Sequence, residues 1–183
     1  MSYHLGQLLV ATPRLHDPHF LRSVILLLDH DEDGALGVVI NRPSQLPLQA
    51  VLPGWAYVVS DPTVLFAGGP VARDSALAVG VTVGDGPDDG FRLLGTAFGL
   101  VDLDADPDAI GAQLVGLRVF SGYAGWGAGQ LEHEIEEGSW YVVSALPGDV
   151  LTAAPDSLWR AVLRRQPGEL AYLATYADDP TMN

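Results

Sequence analysis

Val24–Leu28, five consecutive aliphatic residues, is the longest uninterrupted aliphatic run in this 183-residue chain, and its brevity governs the architecture. Such a run, bounded by turn residues, suits a strand buried on both faces and falls far short of the roughly 20 apolar residues that cross a bilayer. It sits within Ser23–Asp29, and a second run, Ala35–Ile40, follows the turn residues His30-Asp-Glu-Asp-Gly34. The pair predicts a buried hairpin. Further strands are expected at Gln7–Ala11, Val64–Ala67, Ala76–Val83, Phe91–Leu94, Phe98–Leu103, Leu117–Ser121 and Trp140–Ala145, punctuated by Gly and Pro.

Helix signals are fewer and shorter. Asp17 before Pro18 is a capping pair for a short turn of helix. Leu48–Leu52, Pro107–Val115, Gln130–Glu136, Ser157–Arg165 and Gly168–Tyr176 complete the set. Hairpins fall early and in the middle while helices concentrate late, so the order is not βαβ, and the expectation is α+β with a mixed sheet. Hydrophobic residues make up 48% and charged residues 17%, enough apolar material for one core. A single domain over residues 1–177 with a short tail, 178–183, is predicted. The first residues lack the basic cluster and apolar stretch of a secretory leader, so a cytoplasmic address is expected, without a membrane.

Composition removes whole classes of chemistry. Cysteine is absent, which excludes disulfides, thiolate catalysis and sulfur-ligated zinc. All nine basic side chains are arginine, so Schiff-base chemistry and a Walker lysine are excluded as well. With 23 carboxylates the net charge is −14, a field that repels DNA. The densest basic group is Arg160, Arg164 and Arg165. His16-Asp-Pro-His19 and His30-Asp-Glu-Asp33 offer metal-ligand atom types, but capping and turn formation account for them, and no metal or cofactor is expected. No Gly-x-Ser-x-Gly elbow surrounds any of the serines, and no catalytic residue is assigned.

The segment Ser121-Gly-Tyr-Ala-Gly-Trp-Gly-Ala-Gly129 reads as a glycine-dense loop between a strand and a helix. Its spacing fits neither a dinucleotide nor a Walker loop, and Glu132, Glu134 and Glu136 set negative charge where a phosphate would dock. One reading is backbone packing around Tyr123 and Trp126; the other is a small-molecule pocket walled by those rings, with Gln130 as its polar arm. Asn41-Arg42-Pro43 ends a buried strand, where Arg42 could grip a carboxylate or phosphate or serve an internal bridge. Three strand-end segments, Asn41–Pro43, Gly68–Pro70 and Gly122–Gly129, are expected to share one face. The candidate ligand-binding residues are Asn41, Arg42, Gly68, Gly69, Tyr123, Trp126 and Gln130, and removal of Arg42 is expected to leave the unliganded protein nearly as stable.

Six stretches in order resemble the AlgH/YqgE family: Gly6-Gln-Leu-Leu-Val-Ala-Thr-Pro13 with Asp17-Pro-His-Phe20, Ser23–His30, Gly34–Pro43, Phe66-Ala-Gly-Gly-Pro-Val71, Phe120–Glu132, and Ser139-Trp140. His19 is a mild departure from the residue usual at that point. The resemblance implies an α+β fold whose branched mixed sheet partly closes into a small barrel surrounded by helices. It also implies the label transcriptional regulator, without an established activity. The leading expectation is a regulatory protein acting through a protein partner or small ligand. An enzyme with a pocket near Arg42 and Trp126 is the alternative, and a direct nucleic-acid-binding regulator comes third.

Overall fold

The computed structural model describes residues 3–175. A hairpin of β2 (Val24–Asp31) and β3 (Gly34–Val39) is flanked by β1 (Leu8–Ala11), which pairs antiparallel with β2. Val24, Leu26 and Leu28 enter one apolar cluster and Ile25 and Leu27 enter another, so alternation splits the aliphatic run between the two faces of the sheet. The hairpin turns tightly at Asp31–Gly34, where Asp31 Oδ1 accepts from the Asp33 N–H. Gly34 is needed there: a Cβ would lie 2.2 Å from the Trp126 carbonyl oxygen.

β4 (Pro43–Pro47), α1 (Leu48–Val51) and β5 (Val64–Ala67) follow, then β6 (Val71–Val81), β7 (Phe91–Leu94), β8 (Phe98–Val101) and α2 (Pro107–Gly111). β9 (Gly116–Gly127), α3 (Gln130–Glu136), β10 (Trp140–Val143), α4 (Pro147–Val150), α5 (Leu158–Arg164) and α6 (Leu170–Leu173) complete the described chain. The strand order is β10-β1-β2-β3-β9-β6-β8-β7, with β4 and β5 on a side branch. The sheet curls into a half-barrel, and the fold is α+β. None of the described helices is long and apolar enough to cross a membrane.

β9 is the hub of this arrangement. Its residues from Gly116 to Tyr123 pair with β6, Phe120 and Ser121 run parallel to β5, and Ala124–Gly127 pair with β3. The expected glycine-dense loop after Ser121 is therefore strand, and most of its backbone is committed to a ladder rather than offered to an anion. The local reason is spacing: buried Gly122, Ala124 and Trp126 alternate with the less buried Tyr123, Gly125 and Gly127, so the glycines are the gaps of a strand pattern. Gly68 and Gly122 exist for the same crossing, since a Cβ on either would sit 2.4 or 2.5 Å from a carbonyl of the other strand segment.

Other boundaries moved for identifiable reasons. Asp17 forms a turn rather than a helix, its carbonyl accepting from Phe20 and Leu21 and its carboxylate from the His19 N–H. Pro43–Pro47 is a strand despite its prolines, which an edge position tolerates. α2 stops at Gly111, short of Val115, and β6 begins at Val71 instead of Ala76. The expected helix Gly168–Tyr176 is reduced to α6, with its last residue and the tail 178–183 outside the described residues. Inside the curl, Leu158, Trp159, Val162 and Leu163 of α5 pack on Val10, Val24 and Ile40. The opposite face is closed by α3 and Phe20 around β1–β3, and by α1 and α2 around β6, β8 and β9.

Candidate functional site: a cationic cleft at Arg42

Arg42 stands where β3 hands over to β4, and β5 runs beside it: the Arg42 carbonyl accepts from the Ala67 N–H at 2.8 Å. A cleft of about 300 Å³ opens there, lined by His19, Arg42, Ala67, Gly69, Pro70, Arg73 and Ser121. Two guanidinium groups thus share a wall-to-wall space in which no carboxylate is a lining residue. A second cleft, about 370 Å³, has the opposite character, with Asp88, Asp89 and Asp106 in its walls and no cation.

The two arginines are held differently. Arg42 donates through Nη1 to the His19 carbonyl and through Nη2 to the Leu21 carbonyl at 3.0 Å, which fastens the 17–22 turn to the end of β3. Burial pushes its pKa below the ordinary arginine value, and the nearby negative charge of Asp17 only partly offsets that. Asp17 itself is engaged by His19, whose Nδ1 lies 3.1 Å from Oδ1. Arg73 is exposed, and among the described residues its guanidinium has no hydrogen-bond or ion-pair partner.

Arg73 owes its position to a bulge. Val71 pairs with Tyr123 and Ala76 with Ser121, so β6 spends five steps where β9 spends two, and residues 72–75 are extruded. Ser121 pins this bulge by donating its hydroxyl proton to the Arg73 carbonyl. Ala72 adopts φ 50° and Arg22 adopts φ 55°, the two non-glycine residues in the left-handed region among those described. Each costs about 1–2 kcal/mol. One precedes Arg73, which lines the cleft, and the other follows Leu21, whose carbonyl Arg42 holds.

The residues singled out from sequence divide between this cleft and the structural frame. Arg42 and Gly69 line it. Gly68 lies behind it, its N–H donating to Ser121 and its carbonyl accepting from Val39. Asn41 is a brace: its Oδ1 accepts from the Val24 N–H and its Nδ2 donates to the Arg22 carbonyl, each at 3.0 Å. Tyr123 packs against the inner core. Trp126 is buried in the other layer, its ring 6.2 Å from Trp140 and 6.5 Å from Phe20, outside the cleft. Gln130 spans the Gly127 N–H and Glu134. The first two strand-end segments therefore meet as expected, while beyond Ser121 the third continues as strand toward α3.

The acidic start of α3 also has a structural use. Glu134 Oε1 accepts from the indole N–H of Trp126 at 3.2 Å and of Trp140 at 3.0 Å. Glu132 accepts from the buried His30 ring, a bond that holds the Glu132 carboxyl below its ordinary range, and the Nδ1 of that ring accepts from the His4 N–H at 3.0 Å. His19, Ala67, Pro70, Arg73 and Ser121 are the cleft residues not counted as ligand-binding at the start. Only Arg73 lacked any mention, and its signal was a cation three residues after the Gly68-Gly69-Pro70 break. Arg118 was also missed: fully buried on β9, it donates to the Val150 and Asp61 carbonyls and lies 4.3 Å over the Phe66 ring. Burial lowers its pKa to about 10.

The family profile described as AlgH-like matches residues 8–171. A UPF0301 protein from Streptomyces avermitilis is 56% identical, covering 97% of this chain and 94% of its own, and one from Thermobifida fusca is 50% identical with the same coverage. The crystal structure of a Corynebacterium diphtheriae protein matches with a TM-score of 0.90 at 38% identity, over 96% of this chain and 94% of that one. The solution structure of the AlgH protein from Pseudomonas aeruginosa matches with a TM-score of 0.72 at 30% identity, over 97% and 96%. Profile, sequences and structures agree, and the chain belongs to the AlgH-like family.

Proposed function

We infer that this is a regulatory protein whose handle is a small anionic ligand held in the Arg42 cleft. The observation that carries the reading is the placement in one cleft of two guanidinium groups without ion-pair partners among the described residues, in a protein with net charge −14, with the two strained non-glycine positions among those residues next to ones that build or support that cleft. Strain and unspent charge both cost stability, and a ligand that uses them offsets that cost. The Ser121 hydroxyl donates to the Arg73 carbonyl, a group too weakly basic to take its proton.

The reading dispenses with direct DNA contact and keeps the protein in the cytoplasm. Support comes from the closing helix, where two of the three clustered arginines are spent internally. Arg165 grips Asp149 with two bonds at 2.6 and 2.7 Å, and Arg160 donates to the Ala174 carbonyl. Thermal denaturation at constant ionic strength, with chloride replaced by multivalent anions, tests the proposal. The expected result is a raised Tm for the wild type and none for the double variant Arg42→Ala/Arg73→Gln. Equal shifts in both proteins would refute it.

A further inference from the structure

Resting on the reading that the cleft is an anion site, we propose that its ligand is a phosphomonoester: the phosphoryl group sits between Arg42 and Arg73, and the organic part lies against Ala67 and Pro70. Charge is the first argument. The cleft presents two cations and no lining carboxylate, Asp17 nearby acts on Arg42 only in part, and a phosphomonoester, with about −1.5 to −2 at neutral pH, therefore matches the pair of guanidinium groups more nearly than a monocarboxylate does. Nucleic-acid phosphodiesters are monoanions on a polymer, which the overall field repels.

Direction is the second argument. Arg73 retains its whole planar fork and can hold two oxygens side by side. Arg42 has one N–H of each terminal nitrogen committed to a backbone carbonyl, so its remaining donors approach from another side. Donors arriving from two sides match a tetrahedral group with three equivalent oxygens better than a flat carboxylate. The third argument is support. Arg42 is fixed to the 17–22 turn, and Arg73 rides on an extruded bulge whose carbonyl Ser121 holds, so each cation stands on backbone that the fold itself secures. A cleft of about 300 Å³ has room for a small organic group beside the phosphate but is at the lower limit for ligand pockets.

Isothermal titration of the full chain with glycerol 3-phosphate, succinate and acetate at fixed ionic strength is the test. Glycerol 3-phosphate is expected to bind with unit stoichiometry, acetate not at all. Arg73→Gln should weaken binding about tenfold or more, Arg73→Lys less, because it keeps the charge and loses the fork, and Arg92→Gln on β7 should change nothing. If succinate binds in an Arg73-dependent way and glycerol 3-phosphate does not, the anion site survives and the phosphomonoester falls. Glycerol 3-phosphate binding that ignores Arg73→Gln also overturns the proposal. If no anion binds, the site and its ligand fall together.

Discussion

The surface of β9 beneath α3 and the cleft at Arg42 are built from the same strand and the same residue types, yet they use polarity in opposite ways. Under α3, the carboxylates of Glu132 and Glu134 reach His30, Trp126 and Trp140, so helix and sheet are clasped by charge-assisted bonds. At the cleft, Arg42 spends part of its donor set on the 17–22 turn and Arg73 spends none. A polar group satisfied by its own fold contributes to stability; one left over is available to something else. Density of polar residues does not distinguish the two regions. Partnership does.

The sharpest way to break that contrast is Trp126→Ala. It removes a buried indole from between Phe20 and Trp140 and should cost about 3–5 kcal/mol, a fall in Tm of roughly 10 °C, while anion affinity at the cleft stays within error. Loss of anion binding in that variant would mean that the two regions are one. Glu134→Ala comes next: it strands two indole N–H groups and should cost about 2–3 kcal/mol by denaturant unfolding, again without touching the cleft.

Arg42→Ala straddles the comparison. Contrary to the expectation from sequence, its removal should cost the unliganded protein about 1–2 kcal/mol, because two carbonyls of the 17–22 turn lose their donor, and it should also abolish anion-induced stabilisation. Acid sharpens the other side. The folded carboxyl of Glu132 lies below its ordinary range, chiefly through the His30 bond, so its contribution is complete above the unfolded glutamate pKa and disappears as pH falls through the lower folded value. Between about pH 6 and pH 3, Glu132→Gln should therefore lose less Tm than the wild type. The smallest effect on stability belongs to Arg73→Gln, within about 0.5 kcal/mol by thermal melting, because the exposed guanidinium has no partner to lose among the described residues.

Much of the frame was legible in the residues. Val24–Leu28 and Ala35–Ile40 announced a doubly buried hairpin because every position is apolar, and Val64–Ala67, Phe91–Leu94 and Gln130–Glu136 form as read. The error at Gly122–Gly127 has a definite cause. Glycine was weighed for its freedom in loops, whereas here it answers the crowding of strands that pass one another, a long-range contact that local propensity does not register. The cleft was half legible for the same reason. Arg42 and Gly69 could be picked because rare cations and Gly-Gly-Pro are visible in one dimension. Arg73 depends on a bulge defined only by the partner strand, and the roles of Trp126 and Gln130 depend on where α3 lands.

The position of β9 at the hub has a consequence for the nascent chain. β1, β2 and β3 emerge from the ribosome early, and their apolar faces can collapse as soon as they are made. The edge of β3 at Gly34–Gly37 must wait for Ala124–Gly127 before it is paired, and Phe66 of β5 waits for Phe120. Throughout that interval the growing polypeptide carries an unpaired edge beside the most aliphatic hairpin in the protein, the situation in which strands recruit neighbours instead of waiting. Asp29 and Asp31, on the exposed positions of β2, put negative charge beside that edge, a placement that disfavours the stacking of a second copy on the half-made sheet.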